Sequence, residues 1–243
     1  MTDHPRITLI SALPESPAPA ETAMRREWPQ ACFNHLLDDS LARDLAALGR
    51  IDESIFDRFT TLGRYAAAAT DGREATAGIL FTCSAFGPAI DRVRTDLPIP
   101  VVAPNEGAFE EALAASAGKP DGGRIGLLLT FAGSLAPLSA ELHAGADHAG
   151  QARPAILPAV ADGALAALQA GDAERHDALI AEAAMSLPPV DILILGQFSM
   201  ARAAPAVAAR RTEPLLTTPE AAVRKLRRLV ERTAEIAQRP PQS

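Results

Sequence analysis

The sequence carries one pattern twice. Ile79-Leu80-Phe81-Thr82-Cys83 is answered 114 residues later by Leu193-Ile194-Leu195-Gly196-Gln197, two apolar runs that end on a side chain able to do chemistry. The same offset of 114 carries Pro100-Val101-Val102-Ala103 onto Pro214-Leu215-Leu216-Thr217, and Glu106 onto Glu220. At an offset of 118, Arg6-Ile7 falls on Arg124-Ile125 and Ser16 on Ser134. Three strand-and-loop pairs in the same order constrain the chain to two similar lobes.

Within each lobe, short β-branched apolar runs alternate with Ala-rich stretches of helical period, the signature of a parallel sheet wrapped by helices. Strands are predicted at Arg6–Ala12, Ala31–His35, Ala77–Thr82, Pro100–Ala103, Arg124–Thr130, Ala155–Leu157, Asp191–Gly196 and Pro214–Thr217. The fold class is therefore α/β: two pseudo-symmetric doubly wound lobes, each with about four parallel strands. Lobe one is expected to span residues 1–118 and to carry Cys83; lobe two, residues 119–243, carries Gln197. Open parallel sheets take ligands beyond the carboxyl ends of their strands. The active site is accordingly expected in the cleft between the lobes, lined by the loops Leu13–Pro19, Cys83–Gly87, Phe131–Leu135 and Gln197–Ala201.

Composition excludes several functions. Hydrophobic residues make up 48%, enough for a core, but aromatics only 4%, so Ala, Leu, Val and Ile must fill it. A net charge of -7 offers no electrostatic footprint for nucleic acid. The basic cluster Arg224-Lys225 with Arg227-Arg228 reads as a solvated helix face. No run approaches the roughly 18 apolar residues of a membrane span. The polar start Met1–Arg6 lacks the pattern of a signal peptide, so a cytoplasmic location is expected. Two cysteines and five scattered histidines give neither a disulfide framework nor metal-ligand spacing. No GxGxxG, GxxxxGK[ST], GxSxG or HExxH motif occurs, which leaves no support for a nucleotide cofactor, serine-triad hydrolysis or a catalytic metal.

Cys83 is the strongest candidate for chemistry. It ends an apolar run and precedes a helical stretch whose Pro88 suits a first turn. Free N–H groups and the helix dipole at such a place favour thiolate, both nucleophile and base. Ser84 and the N–H of Ala85 would add an anion nest. Cys32, inside the second strand, reads as an inert buried thiol. Gln197 has no basic atom near neutral pH, but its amide can donate to a carboxylate or a developing oxyanion. Phe198 and Ser199 continue its loop. Thr130 and Ser134 in lobe two, and Ser11 and Ser16 in the matching place of lobe one, are small hydroxyls at strand ends, suited to carboxylates or to helix caps. In Asp38-Asp39-Ser40 a cap for the following helix is the plainer reading.

Two stretches carry a family resemblance: Leu80-Phe81-Thr82-Cys83-Ser84-Ala85-Phe86-Gly87, and Asp191-Ile192-Leu193-Ile194-Leu195-Gly196-Gln197-Phe198-Ser199-Met200. With Leu36-Leu37-Asp38-Asp39-Ser40-Leu41, they make the chain resemble the aspartate/glutamate/hydantoin racemase superfamily, which has arylmalonate decarboxylase and maleate isomerase as relatives. The resemblance covers nearly the whole chain. It implies chemistry without a cofactor, in which a cysteine from each lobe faces the α-carbon; one removes the proton and the other returns it on the opposite face. Cys83 stands at the first of these positions. Gln197 stands at the second, a departure from the family's pattern. Arylmalonate decarboxylases keep one cysteine, in the other lobe, and maleate isomerase-like enzymes use a first-lobe cysteine as nucleophile. Three activities stay open: a racemase or isomerase of a small carboxylate such as an amino acid or derivative, a lyase in which Cys83 protonates an enolate, and a non-catalytic carboxylate binder. A small-molecule carboxylate is the expected partner and a homodimer the default assembly.

Overall fold

The computed structural model describes residues 4–70, 72 and 74–238. Residues 1–3 of the polar start lie outside that range. The strands are β1 (Arg6–Ser11), β2 (Cys32–Leu37), β3 (Thr76–Phe81), β4 (Val101–Val102), β5 (Arg124–Leu129), β6 (Ala155–Val160), β7 (Ile192–Leu195) and β8 (Leu215–Thr217). Each expected strand is present, with ends shifted by a residue or a few. The helices are α1 (Pro17–Glu27), α2 (Leu41–Leu48), α3 (Glu53–Ala68), α4 (Gly87–Asp96), α5 (Glu106–Ser116), α6 (Leu135–His148), α7 (Ala164–Gln169), α8 (Ala173–Ser186), α9 (Ala204–Ala208) and α10 (Thr218–Gln238).

The strands form two four-stranded parallel sheets, ordered β2-β1-β3-β4 and β6-β5-β7-β8. The repeat in sequence is thus a repeat in topology. The central strands bury both faces, as parallel strands flanked by helices must: Ile79, Leu80, Leu193, Ile194 and Leu195 are fully buried. Helix starts are fixed locally where the sequence supplies a cap. The Asp52 carboxylate accepts from the N–H groups of Ser54 and Ile55 at the start of α3, and Asp172 from Arg175 at the start of α8.

The chain divides into two compact units: one runs to Pro104 and resumes at Ala222, and the other spans Asn105–Ala221. This differs from the expected boundary between residues 118 and 119, because two helices join sheets other than the expected ones. In α5, Ala108, Phe109, Ala112 and Leu113 pack with Ile125, Leu127 and Leu129 of β5. In α10, Leu226 and Val230 lie over β3, where a Cβ added to Gly78 would stand 2.9 Å from each. That glycine opens the space α10 fills. No helix among the described residues is long and apolar enough to cross a membrane.

Candidate active site

In unit one, the site centres on the end of β3. Cys83 continues the strand in extended conformation (φ -121, ψ 118), and a 3-10 turn, Ser84–Phe86, then leads into α4. Pro88 lies in the first turn of α4, as its fixed φ allows. Cys83 is half-buried and packs against the cluster that holds Phe59, Phe81 and Phe86. Phe59 stacks on Phe81 with centroids 5.2 Å apart and meets Phe86 in a tilted contact at 4.8 Å.

This burial runs against the expected thiolate. Desolvation pushes the Cys83 thiol above its ordinary pKa, and a hydrogen bond from the Ala85 N–H opposes that rise without cancelling it. At neutral pH the resting group is therefore the thiol, a proton donor. The expectation for Cys32 also fails. It begins β2, an edge strand, and is exposed.

Ser11 and Thr82, at the ends of β1 and β3, form a buried pair in which the Thr82 hydroxyl donates to Ser11 Oγ at 2.9 Å. The Ser11 side chain is thus engaged within the protein. Ser16 is buried at the N-cap position of α1, and its side chain makes no cap bond. Ser84 is half-buried and Ala85 exposed. At the end of β2, Asp38 accepts from the N–H and hydroxyl of Ser40 and from Arg58 at 2.5 Å. Burial would raise the Asp38 carboxyl, but Ser40 and Arg58 together hold it below the usual carboxylate range. Arg58 also reaches Asp44 of α2, so the Asp38-Asp39-Ser40 segment is an anchored helix entry.

In unit two, Gln197 stands just past β7, again extended (φ -138, ψ 146) and again followed by a 3-10 helix, Phe198–Ala203, before α9. Its Oε1 accepts two hydrogen bonds from Thr130, one from the backbone N–H at 2.8 Å and one from the hydroxyl at 2.7 Å. The pairing follows from the sheet. Leu128 of β5 lies opposite Leu195 of β7, and two residues further along each strand the same register brings Thr130 to Gln197. A backbone N–H can only donate, so the amide oxygen must face it. Turning the amide over would strand that N–H and set donor against donor, at a cost of about 1–3 kcal/mol. Among the described residues Gln197 Nε2 has no hydrogen-bond partner, which leaves two N–H donors free.

The ring of Phe198 is 3% exposed and lies in the packed interior. Ser199 is half-buried. Ser134 occupies the N-cap of α6 without a side-chain cap bond. Phe131, between Thr130 and the 3-10 turn Ala132–Ser134, is 61% exposed. Sequence reasoning missed the brace behind the Gln197 turn. Arg202 Nε donates to Asp177 of α8 at 2.9 Å, and the same carboxylate oxygen lies 2.8 Å from Nδ1 of the buried His176. Asp177 and Arg202 stand 25 positions apart, and no local motif links them. Among the described residues no cluster of three or more His, Cys, Asp or Glu side chains could hold a metal ion.

Two parallel four-stranded sheets of one topology, with a thiol and an amide on matched strand-end turns, define an α/β protein of the racemase architecture. The chain belongs to the Asp/Glu/hydantoin racemase family, whose model matches residues 3–226. Among solved structures, a glutamate racemase of Bacillus anthracis superposes with a TM-score of 0.66 at 12% identity, covering 95% of this chain and 83% of that one. Allantoin racemase of Klebsiella pneumoniae gives 0.66 at 18% identity, covering 94% and 89%. Unliganded arylmalonate decarboxylase gives 0.53 at 15% identity, covering 93% of each chain. At these identities the likeness is one of fold. No curated protein matches the sequence.

Proposed function

We propose that this chain is a racemase-type enzyme that moves a proton at the carbon next to the carboxylate of a small substrate, an amino acid or derivative, without a cofactor, with Cys83 as the acid–base group. The observation that carries this reading is the placing of Cys83. It sits at the carboxyl end of a central strand, half-buried, with the Ala85 N–H directed at its sulfur. Membership of the racemase family supports it. In the forward step Cys83, once its thiol has lost its proton to solvent, takes the α-proton as the thiolate, and the C–H electron pair passes to the carboxyl oxygens as an enediolate. The return of that proton from sulfur restores the carbon.

A decarboxylating variant has its own support. Loss of CO₂ from a malonate-type acid leaves the same enediolate, which then needs a donor and no base. A thiol protonated at rest is that donor. Gln197 offers N–H groups and no base, as expected of a group that stabilises an oxyanion.

The test is proton NMR in D₂O with the full chain and a panel of amino acids and substituted malonates. Solvent deuterium should enter at the α-carbon, with inversion or with CO₂ release identifying the variant. Cys83→Ala should abolish turnover. A Cys83→Ala chain of undiminished activity overturns the assignment.

A further inference from the structure

We infer that Thr130 is a positioning residue that fixes Gln197 as a one-way hydrogen-bond donor, so that unit two takes a ligand oxygen, carboxylate or carbonyl, and refuses an ammonium at that point. The inference deepens the proposed function and rests on it in one respect: the oxygen received is that of the small carboxylate substrate.

The argument runs through Gln197 Oε1. A carboxamide oxygen has two lone pairs, and the Thr130 N–H and hydroxyl occupy both, at 2.8 and 2.7 Å. The oxygen has nothing left for a ligand. The N–H fixes which end of the amide faces inward, and the hydroxyl holds the plane of the amide against rotation. Thr130 is itself held still, being 9% exposed at the end of β5, the strand between β6 and β7. What remains is Nε2, with two donors and no acceptor. An ammonium brought there would meet hydrogens with hydrogens; a carboxylate or carbonyl oxygen would complete the amide's hydrogen bonding. Unit one is built otherwise. The repeat offset of 118 sets Ala12 opposite Thr130 in the alignment of halves, and alanine has no side-chain polar atom to orient the residue at Cys83. The lock therefore accompanies the amide and is not a general feature of the repeat. It also reassigns Thr130, whose hydroxyl is spent on Gln197 and not on a ligand.

The experiment uses the full chain and methylmalonate as probe, an acid with acceptor oxygens and no ammonium, with binding followed by calorimetry and by the Gln197 side-chain ¹H–¹⁵N pair. That pair is assigned by its loss in Gln197→Glu. Both N–H signals should shift when methylmalonate is added to the wild-type chain. Gln197→Glu keeps an oxygen for Thr130 but presents an acceptor in place of the donors, and should weaken binding roughly ten- to hundredfold. Thr130→Val should weaken it about two- to tenfold, and Thr130→Ser should restore it to within about twofold, a rescue that a mere packing role would not produce. Undiminished binding by Gln197→Glu, no rescue by serine, or a wild-type amide pair that ignores methylmalonate each overturn the inference. Cys83→Ala separates the two claims. It should bind methylmalonate normally while losing turnover, whereas a Cys83→Ala chain that keeps turnover defeats the proposed function and leaves the Gln197 result standing.

Discussion

Replacing Gln197 by Cys should destabilise unit two, by an amount the structure allows one to work out. The substitution removes the acceptor of two hydrogen bonds from Thr130, a residue 9% exposed. The stranded backbone N–H costs about 1–3 kcal/mol, and the lost hydroxyl bond about 0.5–1.5 kcal/mol, since a hydroxyl can turn in search of another partner. Gln197→Cys should therefore lose roughly 2–4 kcal/mol. Thr130→Val leaves the N–H bond in place and should lose about 0.5–1.5 kcal/mol. Both single variants forfeit the hydroxyl bond, so the double variant counts it once. It should be more stable than the sum of the singles implies by about 0.5–1.5 kcal/mol. Urea unfolding followed by circular dichroism gives the free energies, and hydrogen exchange at the amides of β5 and β7 confines the reading to unit two. Additivity within about 0.3 kcal/mol would refute the lock as an energetic unit, as would a Gln197→Cys chain as stable as wild type.

Further outcomes follow from other parts of the fold. In a brief iodoacetamide pulse near neutral pH, read by peptide mass spectrometry, exposed Cys32 should be alkylated before Cys83, whose labelling should climb only above the ordinary thiol range; Cys83 reacting first would contradict its burial. Gly122→Ala should cost far more than Gly118→Ala in a denaturant titration. Both glycines have positive φ (75 and 84), worth about 1–2 kcal/mol for any other residue, but at Gly122 the new Cβ would also sit 2.5 Å from the Ala152 carbonyl oxygen, adding about 1–3 kcal/mol, while at Gly118 it meets nothing within 4 Å. Asp38, held below its ordinary pKa, contributes stability that is present above the unfolded value of about 3.9 and lost as pH falls through the folded one. The stability gap between wild type and Asp38→Asn should accordingly be open near neutral pH and close in acid; a gap that widens on acidification would reverse the assigned sign.

The sequence by itself determined the strands, their parallel arrangement and the twofold topology, because these depend on local periodicity and on a repeat visible in the residues. It also marked Cys83 and Gln197, since each ends an apolar run at a turn. Where a helix docks is another matter. The apolar stripes of α5 and α10 show that each must bury a face, but not on which sheet. The space left by Gly78 receives Leu226 and Val230 from about 150 residues away, and a boundary drawn along the chain misses it. Cys32 reads as interior from its neighbours, yet β2 lies at the sheet edge, and strand order is not a local property. The state of the Cys83 thiol turns on a balance between helix-start N–H groups, which the sequence suggests, and desolvation by burial, which requires the packed core. The direction in which Gln197 points its amide was decided by tertiary structure alone: the N–H that orients it belongs to Thr130, 67 residues earlier, and reaches it across a strand register that exists only once the sheet has formed.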